Sequence, residues 1–466
     1  MKTVFINISL RPESRHRALP VGLAYVMTAV KKAGIDFDLI DMDIDNLSLE
    51  QLERILENQI YDVYALGCIV TGYRWVRRIT SLIKNVNPRA LIIAGNSVAT
   101  SIPKLLLSKT QVDIAVLGEG DYTMPELLHA IDRGKDLREI RGMAFSENGN
   151  LIATGKRPIE QDLDQIGFPD WELFDLKKYR TRERVDANIF KKDMLSPFPL
   201  NSARGCPFSC TFCYHVFKEE KYRQYSEDAV INEIQRLHHR YGADYIAFFD
   251  ELTFPNLKSI GRMVERLNQL DFDVGWSAQC RADLFSKSDV DFIRDIKRAG
   301  CDRLSFSLEN GEEKILEAMN KKISVGAFIE QTEALQAGGI VPTTSVIFGY
   351  PQETRESIRK TIAVCERSNL FPSVGFLLPL PGTPIYDWAR NHGYIDDEEN
   401  YMERIGDRQD LHVNLTSMRD DELLDTVQHE LHKLAHKQGL KLDSVIKTTT
   451  YQKPRQNDKA ISRIVS

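Results

Sequence analysis

The sequence predicts an α/β protein of two successive units: a doubly wound domain with a parallel sheet, then a partial, open barrel of six β/α repeats with a small helical C-terminal region behind it. Three observations predict this. Residues 1–133 alternate strand-like and helix-like stretches with little left over. A second alternation runs from residue 199 to about 393 with six strand signals, too few for an eight-stranded barrel. Where its first strand ends, three cysteines fall within eight residues.

The first domain is read from apolar runs bounded by turn residues. Strands are expected at Val4–Leu10, Phe37–Met42, Val63–Val70, Ala90–Gly95 and Val112–Gly118. Amphipathic helices are expected between them at Gly22–Ala33, Leu49–Asn58, Trp75–Val86, Ile102–Leu107 and Thr123–Ile131. Ligands of such sheets sit beyond the carboxyl ends of the strands. Those ends carry Val70-Thr71-Gly72, Ala94-Gly95-Asn96-Ser97 and Gly118-Glu119-Gly120. No G-x-G-x-x-G follows the first strand, which disfavours a dinucleotide. Met143–Thr154 reads as a hairpin about Asn148-Gly149, because that pair tolerates the positive φ of a tight turn.

Residues 155–198 are polar and read as a connecting arm. The second alternation places strands at Leu200–Gly205, Tyr245–Asp250, Val274–Cys280, Arg303–Glu309, Pro342–Gly349 and Val374–Leu380. Helices are expected after Ser226 and Ser286, each as an N-cap. One helix, Asp420–His436, follows an acidic stretch, and the tail from Thr448 lacks apolar periodicity and is expected to be disordered. The expected domains are 1–140, a hairpin and arm at 141–198, a barrel at 199–395 and a C-terminal region at 396–466.

Composition bounds the function. The 466 residues carry a net charge of −6, which makes nucleic acid an unlikely main partner. Apolar stretches such as Val374–Leu380 fall far short of the roughly 18 residues a membrane span needs, and no secretory pattern opens the chain. A cytoplasmic location is expected. Seven cysteines are too few for a disulfide scaffold. Cys68, Cys280, Cys301 and Cys365 stand singly among apolar neighbours and read as buried thiols.

The remaining three form the segment Arg204-Gly205-Cys206-Pro207-Phe208-Ser209-Cys210-Thr211-Phe212-Cys213-Tyr214-His215, a C-x3-C-x2-C pattern. Thiolates suit iron–sulfur clusters or zinc. Three cysteines can hold three irons of a 4Fe–4S cube and leave the fourth open to a substrate or cofactor. Zinc, with His215 as fourth ligand, is the alternative, but structural zinc sites usually draw ligands from two separated knuckles. No second C-x2-C exists in the chain.

The segment resembles the cluster motif of the radical S-adenosylmethionine (SAM) superfamily, and later segments agree in order. Phe248-Phe249-Asp250-Glu251 resembles the acidic segment after the second strand, and Trp276 with Arg281 and Asp283 the third-strand region. Gly300–Gly311 resembles the ribose and carboxylate region, with Lys321 as its downstream lysine. Val346–Thr354 resembles the G-x-P-x-E-T segment near the adenine, and Leu378–Pro384 the P-x-P-G-T element of the sixth strand. Taken singly each has a plain reading, such as helix-start acids for Asp250 and Glu251, a surface carboxylate for Glu309 or a turn at Gly349. The resemblance implies that Cys206, Cys210 and Cys213 bind the cluster. It implies that Phe212, Ser307, Glu309, Gly349 and one of Asp250 and Glu251 contact SAM.

Pro20-Val21-Gly22-Leu23-Ala24-Tyr25-Val26 resembles the start of the cobalamin-binding domains attached to such barrels, and Asp41 and Pro125-Glu126-Leu127-Leu128 agree with it. The resemblance implies cobalamin near Thr71, Gly95, Asn96, Ser97, Gly118 and Glu119, with Gly95-Asn96 where many relatives carry Gly-Gly. No D-x-H-x-x-G supplies an axial histidine. The corrin is expected at the carboxyl edge of the first sheet, facing the barrel mouth, its lower face met near Thr71–Tyr73 or Asn96–Thr100.

The implied reaction is reductive cleavage of SAM to a 5′-deoxyadenosyl radical, then modification of an unactivated carbon, with cobalamin-dependent methyl transfer as the main reading. Cyclisation, deoxygenation or epimerisation without cobalamin is the alternative, and a zinc-stabilised binding module is a remote one. Radical modification of transfer RNA would want a folded basic domain, which the tail after Lys441 is too poor in apolar residues to form. The implied partners are an electron donor such as flavodoxin or ferredoxin and a small-molecule or peptide substrate. Tyr214, His215, Trp276, Gln279 and Arg281 are candidates to face it.

Overall fold

The first strand of the chain, β1 (Thr3–Asn7), buries four of its five residues, as a strand covered by helices on both faces must. In the computed structural model, which describes residues 1–12, 17–179, 196–214 and 222–440, it lies second from one edge of a seven-stranded sheet. The middle of the connecting arm, His215 and the tail from Thr448 lie outside the described residues. With β2 (Asp38–Asp41), β3 (Val63–Gly67), β4 (Leu91–Gly95) and β5 (Ile114–Val116), β1 forms the parallel order β2-β1-β3-β4-β5. The direction of winding reverses between β1 and β3, which opens a crevice at their carboxyl ends. The helices α1 (Val21–Lys32), α2 (Leu49–Asn58), α3 (Tyr73–Val86), α4 (Asn96–Ser101), α5 (Pro103–Lys109) and α6 (Gly120–Asp132) lie between the strands in sequence. A reciprocal capping box between Ser48 and Gln51 fixes the start of α2.

The predicted hairpin forms as β6 (Met143–Glu147) and β7 (Asn150–Ala153), with Asn148 and Gly149 both at positive φ. It extends the first sheet, β6 pairing antiparallel with β5, so this sheet continues past residue 140. The described part of the arm is more than a spacer. Leu163, Trp171, Phe174 and Tyr179 are buried, Trp171 meets the Phe198 ring edge-on at 6.3 Å, and the Tyr179 hydroxyl donates to Asp41 Oδ2 at 2.6 Å. The Asp41 carboxylate also accepts from Asn7 Nδ2, which makes it a bracket between strands and arm.

The barrel's first strand is β8 (Pro197–Leu200), not Leu200–Gly205. Two prolines are tolerated because β8 is an edge, paired among the described residues only with the second barrel strand. The chain then leaves the sheet, and β9 (Ala203–Arg204) pairs antiparallel with β10 (Arg223–Gln224). The parallel series continues through β11 (Tyr245–Phe248), β12 (Gly275–Gln279), β13 (Cys301–Ser305) and β14 (Val341–Thr343). The predicted strand Pro342–Gly349 is split at Thr344, beyond which β15 (Ser345–Phe348) pairs with β16 (Ser373–Phe376). A bridge from Glu309 to Val346 joins the two sheets. Ser226 caps the helix Glu227–Tyr241 as expected. Ser286 caps nothing: its hydroxyl donates to Asp283 O, and Asp289 caps the helix Val290–Arg298 instead. No helix among the described residues is long and apolar enough to cross a membrane.

Candidate active site

The cysteine loop is held from outside. Gly205, at φ +81°, turns the chain into it, a conformation only glycine adopts freely. Its backbone is pinned where Thr211 N donates to Met319 O at 2.9 Å and Asn320 Nδ2 donates to Ser209 O at 2.9 Å. The Arg281 guanidinium lies 3.7 Å over the Phe208 ring and donates to the carbonyls of Lys321 and Lys322. Arg281 therefore shapes the loop. The thiols of Cys206, Cys210 and Cys213 are all free. Desolvation raises each above its ordinary value, Cys213 to about 12, while Lys321 and Arg281 counter it at Cys210. Three soft donors on one pinned loop with two cations beside them fit a thiolate-held cluster. Among the described residues no three His, Cys, Asp or Glu side chains gather around a single-ion position.

The two acids after β11 have different surroundings. Asp250 is buried and its carboxylate accepts from Ser202 N, Ser202 Oγ and Ala203 N at 2.7–3.0 Å, which ties β11 to the entry of the cysteine loop. Glu251 instead lines a cavity with its side chain exposed there, and partial desolvation with the neighbouring Asp250 charge raises its carboxyl above the ordinary value. Glu309 is buried at φ +64° and accepts from Lys321 Nζ at 2.7 Å. Such a backbone in a non-glycine residue is costly and persists only where the surroundings hold it. Ser307 and Ser345 share a hydroxyl contact of 2.7 Å. Gly349 follows β15 at φ +102°.

Below Gly349, the buried Glu353 accepts from Asn310 Nδ2 at 3.0 Å and from Ser357 Oγ, joining the Glu309 and Gly349 segments. Burial raises its carboxyl from the ordinary 4.5 to about 7. The fold therefore favours the protonated form, a contribution fully present below 4.5 and lost as pH rises through about 7. Glu353→Gln, which mimics that form, is expected to gain stability relative to wild type across this window and to hold a constant difference above it. Melting temperatures of both proteins from pH 4.5 to 8, on the order of the window just given, check it; parallel curves would exclude a raised carboxyl.

A cavity of about 660 Å³ opens at the carboxyl edge of the first sheet, a size suited to a cofactor-sized ligand. Leu66, Ile93, Val116 and Met124 give it an apolar floor, and Gly95, Asn96, Gly118 and Glu119 of the predicted set line it. A Cβ placed on Gly95 would meet nothing within 4 Å, so the backbone there faces open space. Asn96 stands at φ +66°, which asparagine tolerates better than most side chains, explaining how it fills a Gly-Gly position. Ser97 is turned inward: its buried hydroxyl accepts from Val70 N at 2.8 Å. Thr71 lines a second, adjoining cavity of about 750 Å³, which also contains Phe212. Phe249 lines both cavities.

One of the expected substrate-facing residues lies elsewhere. Trp276 is buried in the barrel core and its indole N–H donates to Ala299 O at 2.8 Å. The Tyr214 ring packs about 3.5 Å from where a Gly382 Cβ would stand. Gln279 is exposed at the end of β12. What sequence reasoning missed is the junction. Arg204, directly before the cysteine loop, donates to both Asp121 oxygens at 2.8 and 3.1 Å and lies 4.8 Å over the Tyr25 ring. Arg223 donates to Glu119. The loop that lines the first cavity is thus bonded to the root of the cysteine loop, across 83 residues of sequence.

Residues 200–365 match the Radical SAM superfamily, and residues 12–128 match the B12 binding domain; together the matches cover more than half of the chain. An uncharacterized methyltransferase of Pyrococcus horikoshii is 28% identical over 79% of this chain and 78% of its own. The anaerobic magnesium-protoporphyrin IX monomethyl ester cyclase of Cereibacter sphaeroides is 26% identical over 82% of this chain, which spans 62% of the cyclase. Among solved structures, the radical SAM methyltransferase TsrM of Kitasatospora setae, with cobalamin and a [4Fe-4S] cluster bound, superposes with a TM-score of 0.64. That match covers 84% of this chain and 78% of the other at 16% identity, and so speaks for the fold alone. With thiols, sheet-edge cavity and both sequence matches in agreement, the chain belongs to the radical SAM superfamily, carries a B12 binding domain ahead of its radical SAM domain, and is an enzyme of 4Fe–4S cluster, SAM and cobalamin.

Proposed function

We propose that the enzyme transfers a methyl group to an unactivated carbon of its substrate. The observation that carries this reading is the meeting of the two cavities at Phe249, beside both the cysteine loop and the carboxyl edge of the first sheet. When bound, the cluster supplies the electron that cleaves SAM, and cobalamin supplies the methyl group. The chain's part is to place them. Cys206, Cys210 and Cys213 hold the cluster, on a loop kept rigid by Arg281 and Asn320. Glu251, open to the cavity, is the acid of the pair suited to the methionine ammonium, because Asp250 is occupied with the Ser202–Ala203 backbone. Glu309, paired with Lys321, and Gly349 border the remaining contact region. Leu66, Ile93 and Val116 would shield bound cobalamin from water, and among the described residues no histidine lines this cavity. Holding reactants close and dry is the larger share of a protein's contribution in such cofactor chemistry.

A reductant is required, and a flavodoxin or ferredoxin is the class of donor proposed. All seven cysteines are free, which suits a reducing cytoplasm. The test is anaerobic purification with added hydroxocobalamin and SAM, followed by iron, sulfide and cobalt analysis and a search for 5′-deoxyadenosine. About four irons and one cobalt per chain are expected, with 5′-deoxyadenosine formed under strong reduction. A loaded cluster that forms none would overturn the reading. Cys213→Ala is expected to lower iron to a small fraction of wild type while cobalt stays, since the two cofactors use different loops. Loss of both together would contradict that separation.

A further inference from the structure

We infer that the second cavity takes an amphipathic acid: an apolar body carrying one carboxylate or phosphate group. This names the substrate class and rests on the methyl-transfer reading above. The cavity, about 750 Å³, suits a small molecule. Its inner wall is apolar, with Phe212 and Phe249 toward the cysteine loop and Leu377, Leu378 and Leu380 beyond β16. Its rim is basic. Arg11 is engaged with Asp407 at 2.6 Å, and Arg17 Nε stands 3.7 Å from Asp43 Oδ1, so these two are matched by the cavity's two carboxylates.

Arg74 and Arg408 are different: among the described residues neither has a carboxylate partner. Arg74 opens α3 and lies 5.5 Å over the Trp75 ring, with its Nε buried and without an acceptor. Arg408 lies along Gly375, where a Cβ would stand 3.1 Å from its Cδ, and donates to Ser373 Oγ at 3.2 Å. Both line the cavity, and a guanidinium without a carboxylate partner binds planar or tetrahedral oxyanions through its paired N–H donors. A sugar would leave the leucine wall uncovered, and a cation would meet two arginines. An acid with an apolar body satisfies both surfaces and lays that body toward Phe212, beside the cysteine loop.

The test is calorimetric titration of the anaerobically purified protein, with its cofactors, using four probes of one chain length below micelle concentration. Dodecanoate and dodecyl phosphate carry the acid; dodecanol and dodecyltrimethylammonium do not. The acids are expected to bind at least about tenfold tighter than the other two, the tighter of them assigning carboxylate or phosphate. Arg74→Gln and Arg408→Gln are each expected to weaken the acids about tenfold or more and leave dodecanol unchanged. Leu378→Asp should weaken all four. Melting curves identify any variant that fails to fold, and the other arginine variant then decides. Equal binding of all four probes, or acids indifferent to both arginine changes, would overturn the inference. Because binding is read without turnover, acids that bind as stated to a protein that never forms 5′-deoxyadenosine would sink the methyl-transfer reading and leave the pocket assignment standing.

Discussion

Gly95→Trp is expected to abolish cobalamin retention while cluster content and folding stay near wild type. The position sits at φ −130°, which any residue adopts, and a side chain there would enter open space. The fold therefore tolerates the substitution, and its effect falls on whatever occupies the cavity. An indole placed at the carboxyl end of β4 would enter the cavity lined by Leu66 and Met124, the proposed cobalamin site. Cobalt per chain after anaerobic loading should fall by about tenfold or more, as steric exclusion from a preformed pocket implies. Iron per chain and the melting temperature should hold, and 5′-deoxyadenosine should still form without methylated product. A variant that keeps full cobalamin would show that the cofactor lies elsewhere, and the methyl-transfer reading would fall with it.

Arg204→Met should weaken the protein more than any other single change at the junction. The guanidinium is 12% exposed, its partners Glu119 and Asp121 are 9% and 7% exposed, and the Tyr25 ring covers one face. Truncating one member of such a buried cluster strands the charge it faced, at a cost of about 3–5 kcal/mol. Burial alone would lower the Arg204 pKa, but Asp121 and Glu119 reverse this, so the group stays charged at any working pH. Denaturant titration measures the loss. Asp121→Leu in the same chain is expected to restore much of it, because an apolar pair can replace a buried ion pair nearly without cost. If the double variant were no better than Arg204→Met, the destabilisation would come from lost packing on Tyr25. Cobalamin retention should fall in the single variant as well, since the Gly118–Asp121 turn is then held against the barrel only through Arg223 and Glu119 among the described residues.

The fold was readable wherever the signal is local. The inner strands of the first domain were found because a parallel strand covered on both faces must be apolar throughout, as Val63–Gly67 is. The hairpin was found from Asn148-Gly149, but its membership of the first sheet was not, since a strand's partner is not written in its own residues. The first barrel strand was placed late because Pro197 and Pro199 look like strand breakers; only its edge position admits them. Trp276 was placed at the substrate on its neighbours' resemblance, whereas its indole N–H is satisfied inside the core by Ala299 O.

By itself, then, the sequence determined the two β/α units, the cysteine spacing and the Gly95-Asn96 edge, because propensity, periodicity and ligand spacing act over a few residues. Tertiary structure alone decided which of Asp250 and Glu251 opens onto a cavity, for that depends on where the Ser202–Ala203 backbone passes. It alone decided that Arg204 meets Asp121 and that, among the described residues, Arg74 meets no carboxylate. Charges at such separations in sequence reveal a pairing only once the chain has closed the loop between them, and no local pattern records that closure.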